Sequence, residues 1–199
     1  MENMEYLKWI KPSIKSRSLE QSEFRYKKAE EQINLPIVEK EEIIKYVNEF
    51  LSKIGMITTD DLINKITDAK DFNPVVTFKS GKWKKGQIRY YDMADKYGYE
   101  KENIVWIKMT KDNYISVIGT ACDIGFGNDP KKYTTAEKIL ERLKIKYPER
   151  SFECNDEMVL IFPLKNIPEG LNRSDIESGI GNYLISKNVP ILDFYSHDY

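Results

Sequence analysis

Apolar residues recur at helical spacing in four stretches of the chain. The clearest runs from about Val38 to Ile54, where Ile43, Ile44, Val47, Phe50, Leu51 and Ile54 fall on one stripe. Gly55 follows as a C-terminal stop. A more heavily charged stretch, Ser18 to Ile33, places Leu19, Tyr26, Ala29 and Ile33 on one side, and Ser18 and Gln21 have capping-box spacing. Thr134 and Glu137 have the same spacing before a helix to about Tyr147, with Ile139, Leu140 and Leu143 turned inward. Ser174 and Glu177 repeat it before a last helix to about Lys187, striped by Ile176, Ile180 and Leu184 and ended by Asn188 and Pro190. A short helix capped by Thr59 is also expected.

Strand patterns fill the middle and the end. IVWIKM at 104–109 and YISVIG at 114–119 flank TKDN, which reads as a tight hairpin loop. VVTF from about Pro74 is expected to pair with GQIRYY at 86–91 across the turn at SGK. Further strands are expected at Ser151–Glu153, Met158–Leu164 and, in ILDFY, at 191–195. Together these predict an α+β fold, a helical N-terminal portion followed by a mainly antiparallel sheet with packed helices. The expected division is 1–71, helical, and 72–199, α+β. A helix-turn-helix over Glu41–Thr67 is disfavoured, because Asp60 and Asp61 would head the recognition helix towards phosphates.

Composition narrows the function. The 199 residues are 41% hydrophobic, enough for a core, and no stretch reaches the roughly 18 uninterrupted apolar residues of a membrane span. The N-terminal residues lack the apolar region of a secretory leader, so a cytoplasmic protein is expected. Two cysteines and one histidine argue against a disulfide scaffold, a cysteine zinc site and Ser-His-Asp chemistry. Cys122 and Cys154 read as reduced core thiols, and His197 as a surface histidine. GFGN at 125–128 lacks the rest of a phosphate-cradling motif and reads as a turn. The Lys-, Ile- and Asn-rich composition suits an AT-rich bacterial or phage genome.

Charge is unevenly spread. Residues 1–71 carry a net −2, residues 72–150 a net +6 and residues 151–199 a net −5. Lys79, Lys82, Lys84, Lys85 and Arg89 occur with no acid between Phe72 and Tyr91, interleaved with Trp83, Tyr90 and Tyr91. Cations beside aromatic faces suit a phosphate backbone with stacked bases, so DNA or RNA is one expected partner. The same pattern also suits a solvated hairpin whose lysines protect a sheet edge.

From Ile104 onward the predicted order is strand, strand, helix, strand, helix, with IVW and VIG starting thirteen residues apart. With Gly119, Glu177 and Pro190, this order over residues 104–193 resembles the GIY-YIG nuclease domain. The resemblance implies a nuclease acting on phosphodiester bonds, with Glu177 as catalytic group and ligand of Mg²⁺, and Tyr114 as the catalytic phenol. Trp106 and Val117 stand where the family has its tyrosines, no arginine follows Gly119 at short spacing, and Asp193 stands where the family often has Asn. Beside its Mg²⁺ role, Glu177 also reads as the third residue of a capping box with Ser174. Two functions are therefore carried forward. One is nucleic-acid association, with or without metal-dependent cleavage. The other is a non-catalytic protein-interaction factor, such as an inhibitor, immunity or accessory protein with a protein partner.

Overall fold

The computed structural model describes residues 19–58, 75–77, 104–121 and 136–193. Four helices and four strands lie within them: α1 (Leu19–Gln32), α2 (Lys40–Lys53), β1 (Val75–Thr77), β2 (Ile104–Thr110), β3 (Ile115–Ala121), α3 (Glu137–Lys146), β4 (Cys154–Pro163) and α4 (Arg173–Ser186). The strands form one sheet in the order β1-β4-β2-β3, with every neighbouring pair antiparallel. This is the expected α+β class.

All seven residues of β2 are buried, so its alternating side chains need a cover on each face. Ile104 and Trp106 join a core with Tyr26, Ala29 and Ile33 of α1 and Ile139, Leu140 and Leu143 of α3. Val105, Ile107 and Met109 join the opposite core, with Ile43, Val47, Phe50 and Leu51 of α2 and Ile176, Ile180, Tyr183 and Leu184 of α4. The sheet is thus the middle layer of three. The two N-terminal helices cover it from opposite sides.

The helix ends follow local chemistry. Gly55 takes a left-handed φ of 77°, and the N–H groups of Gly55 and Met56 donate to Ser52 O at 3.0 Å and Leu51 O at 2.9 Å. These two bonds close α2 as a Schellman turn. Asn188, at φ 60°, closes α4 in the same way, with Val189 N donating to Leu184 O at 3.0 Å. Among its described side chains α1 buries Tyr26 and Ala29, a stripe that Ile33 continues just past its end. Ion pairs from Arg142 to Glu23 and from Lys146 to Glu30 join it to α3, and the Arg142 guanidinium lies 3.8 Å from the Tyr26 ring centroid. Exposed pairs of this kind contribute little each, so the apolar stripe holds most of the contact.

The β2–β3 hairpin turns at Lys111–Asn113. Asn113 is left-handed at φ 67°, and Thr110 N donates to Tyr114 O at 2.8 Å. Ser116 is then an extra residue in β3: Lys108 lies opposite Val117, and Met109 opposite Ile115. Its hydroxyl donates to Lys108 O at 3.0 Å. This bulge resets the alternation, so Ile115 and Ile118 face the α2/α4 core and Val117 the other.

Several sequence expectations change. No strand forms over 151–153, and β4 instead runs unbroken from Cys154. Of the expected last strand, the described residues 191–193 form one parallel bridge, Ile115 with Ile191. β1 pairs with β4, a partner 81 to 85 positions away that local patterning could not reveal. GQIRYY, the helix capped by Thr59 and the residues Ser18 and Thr134 lie outside the described residues.

Gly119 sits opposite Trp106. A Cβ added there would lie 2.2 Å from Trp106 Cζ2, so the indole occupies space that only glycine leaves open. Gly119→Ala is therefore expected to lower unfolding free energy by about 1–3 kcal/mol in urea denaturation. Combining it with Trp106→Leu should give less than the sum of the two single losses, because the smaller side chain vacates the contested space.

Candidate functional site

The start of α4 decides what Glu177 is. Ser174 was expected to cap the helix with Glu177 in the reciprocal position. The cap is instead Asn172, whose side chain accepts from Ser174 N at 2.8 Å and Asp175 N at 3.2 Å. Asp175 completes the box by accepting from Asn172 N at 2.8 Å. The helix thus begins two residues earlier, and Glu177 falls within nine consecutive buried residues, Ile176–Leu184. It is 3% exposed. Burial pushes its carboxyl up to about 8, and Arg173, one turn back, is the opposing influence.

At 3% exposure the Glu177 carboxyl has little room beside it for the several waters that Mg²⁺ keeps in its shell. Among the described residues, no three His, Cys, Asp or Glu side chains come together as a metal-binding group.

Tyr114 lies on the other side of the sheet. It is 5% exposed and packs on Phe152, with ring centroids 5.8 Å apart. Its hydroxyl donates to Ile33 O at 3.2 Å, and Arg150 Nη1 donates both to Ile33 O at 2.9 Å and to the Tyr114 hydroxyl at 3.3 Å. The phenol thereby ties the hairpin to the end of α1. Tyr114 belongs to the α1/α3 core and α4 to the α2/α4 core, so the two catalytic candidates stand on opposite faces of the sheet.

The other residues behind the resemblance have local roles. Gly119 admits the Trp106 indole. Pro190 follows the closing turn of α4. Asp193 forms a bidentate ion pair with Arg25, with Arg25 Nε to Oδ1 at 2.9 Å and Nη2 to Oδ2 at 2.6 Å. Nothing in the sequence points to this pair, because its members are 168 positions apart. Lys79, Lys82, Trp83, Lys84, Lys85 and Arg89 lie outside the described residues, as do Cys122, His197 and the GFGN segment.

An open cleft of about 680 Å³ lies before α4, lined by Thr120, Ile167, Pro168, Leu171 and Arg173 among others. Two helix-start N–H groups beside it, those of Ser174 and Asp175, already donate to Asn172 Oδ1. Among the described residues, no helix is long and apolar enough to cross a membrane. No family model, curated protein or solved structure matches the chain. Its class is therefore stated from the fold alone, a layered α+β protein with an antiparallel sheet.

The Glu177 carboxyl sets a pH dependence. Its folded pKa, about 8, lies above the ordinary value of 4.5, so the folded state holds the proton more tightly. The contribution to stability is complete below about 4.5 and is lost as pH rises through 8. In urea denaturation the wild type should weaken between pH 5 and pH 8.5, by on the order of a few kcal/mol. Glu177→Gln should flatten that slope and be the more stable protein at pH 8.5.

Proposed function

We propose that this chain is a cytoplasmic, nucleic-acid-associated protein that holds a phosphate backbone through the stretch Lys79–Arg89. The observation that carries this reading is where the stretch is attached. It follows directly after β1, an edge strand of the sheet, and precedes β2, the fully buried strand. Five cations with no intervening acid thus lie along the chain between two strands of one sheet, Lys79 two positions after β1 and Arg89 fifteen positions before β2. Trp83, Tyr90 and Tyr91 supply stacking faces beside them.

Cleavage by a diverged GIY-YIG-like site is the catalytic form of this reading. The burial of Glu177, and its separation from Tyr114 across the sheet, favour association without chemistry at that pair. The same observation favours the second reading, a non-catalytic interaction factor of a bacterial or phage system whose partner is a protein.

Fluorescence anisotropy with labelled duplex DNA, single-stranded DNA and RNA separates these readings. Affinity should fall at least about tenfold between roughly 50 and 200 mM salt. The triple charge reversal Lys82→Glu, Lys84→Glu, Lys85→Glu should weaken binding to all sequences alike and reduce the salt slope by about one per lost phosphate contact. No binding at low salt would transfer the assignment to a protein partner. In parallel reactions with and without Mg²⁺, Tyr114→Phe should leave any cleavage unchanged and cost about 1–3 kcal/mol of stability, since it removes the hydroxyl's bonds to Ile33 O and from Arg150. Cleavage abolished by both Tyr114→Phe and Glu177→Gln would restore the nuclease assignment.

A further inference from the structure

We propose that α1 is a strap over one face of the sheet, latched at the C-terminal segment by Arg25 and Asp193 and able to open as a unit while the α2/α4 side stays folded. The latch has two parts. The segment Ile191–Asp193 is itself fixed to β3, with Leu192 N donating to Ile115 O at 2.9 Å and Asp193 N to Ser116 O at 3.0 Å. α1 is then fixed to the segment by the Arg25–Asp193 fork and by Gln32, whose Oε1 accepts from Ile191 N at 3.3 Å. The Asp193 side chain is fully buried and that of Arg25 is 13% exposed.

The two cores are unequal in their dependence on α1. The α2/α4 core contains no α1 residue and draws on three strands and two helices. Among its described side chains, α1 gives the other core Tyr26 and Ala29, with Ile33 directly after it. Its ion pairs to α3 through Glu23 and Glu30 are partly to well exposed, and such pairs hold weakly. Just after α1, Ile33 O accepts from the Tyr114 hydroxyl at 3.2 Å and from Arg150 Nη1 at 2.9 Å, and the Arg25–Asp193 fork is the largely buried charge pair among the ties described.

Its energetics suit a two-position element. When α1 lifts, Arg25 and Asp193 both regain water, and this hydration offsets much of the lost attraction. A closed strap missing one partner would instead keep the remaining group in a largely buried place without its bidentate counter-charge, which is unfavourable. The pair therefore permits opening as a unit and penalises closure with a half-latch. Opening exposes the face built on Trp106, Tyr114 and Val117.

Amide hydrogen exchange on the full chain, followed by mass spectrometry, tests this. In the unaltered protein, amides of Tyr26–Ile33 should exchange through an opening with a smaller urea dependence than amides of Ile176–Leu184. An equal dependence in both, showing a single global opening, overturns the proposal. Asp193→Asn should accelerate exchange in 23–33 by about 100-fold or more with α2 and α4 little changed. Acceleration of all elements together, or unchanged protection of α1, overturns it. Arg25→Met with Asp193→Leu removes both charges and should return α1 to within about tenfold of wild type. Exchange remaining at the single-variant rate would show that the charge pair is not what fastens the strap. Should Asp193→Asn fail to fold, the urea dependence of the unaltered protein decides the question alone.

Discussion

A strand buried on both faces cannot be completed by its neighbours in the sheet. β2 pairs on one side with β3 and on the other with β4, which satisfies its backbone, yet its side chains still project into two separate cores. The layers above and below follow from that requirement. One is supplied by α2 and α4, the other by α1 and α3. The bulge at Ser116 serves the same end. Without the extra residue, β3 could not offer Ile115 and Ile118 to one core and Val117 to the other in register with β2.

Much of this was legible locally. The stripe Ile43–Val47–Phe50–Leu51 with its terminal Gly55, and the hairpin flanking TKDN, depend on neighbours within a few residues, so periodicity and turn chemistry find them. The start of α4 shows where local reading fails. Asn172 and Asp175 have the same spacing as Ser174 and Glu177, and both pairs are competent capping boxes. Tertiary packing selects the earlier one, because starting there places Ile176 and Ile180 in the core. That choice of two residues moved Glu177 from a solvated helix start to a buried position. Tyr114 is a similar case, since a tyrosine at a strand entrance does not show which face it will join. The Arg25–Asp193 pair and the β1–β4 pairing were invisible because nothing local encodes contacts between residues 81 or more positions apart.

The residues that carried the family resemblance have structural work of their own here. Gly119 is a gap filled by an indole, Pro190 follows a closing turn, and Asp193 anchors a helix. Such positions satisfy a pattern for reasons of packing. A functional argument for this chain therefore rests more on its charge distribution than on these matches. The middle block differs from its flanks by several net positive charges, and packing does not require that.

The strand order has a kinetic consequence. β2 and β3 can zip together through a three-residue loop as soon as both exist, but β4 must insert between β1 and β2, which precede it in the chain. Until it arrives, β2 presents an unpaired hydrogen-bonding edge made of Ile104–Thr110, a strongly apolar strand. Loop closure over more than 40 residues must come before that edge is covered. Folding should thus pass through a hairpin with one adhesive side, and the slowest productive step is the docking of β4. An off-pathway encounter between two such hairpins is the characteristic way for this topology to aggregate.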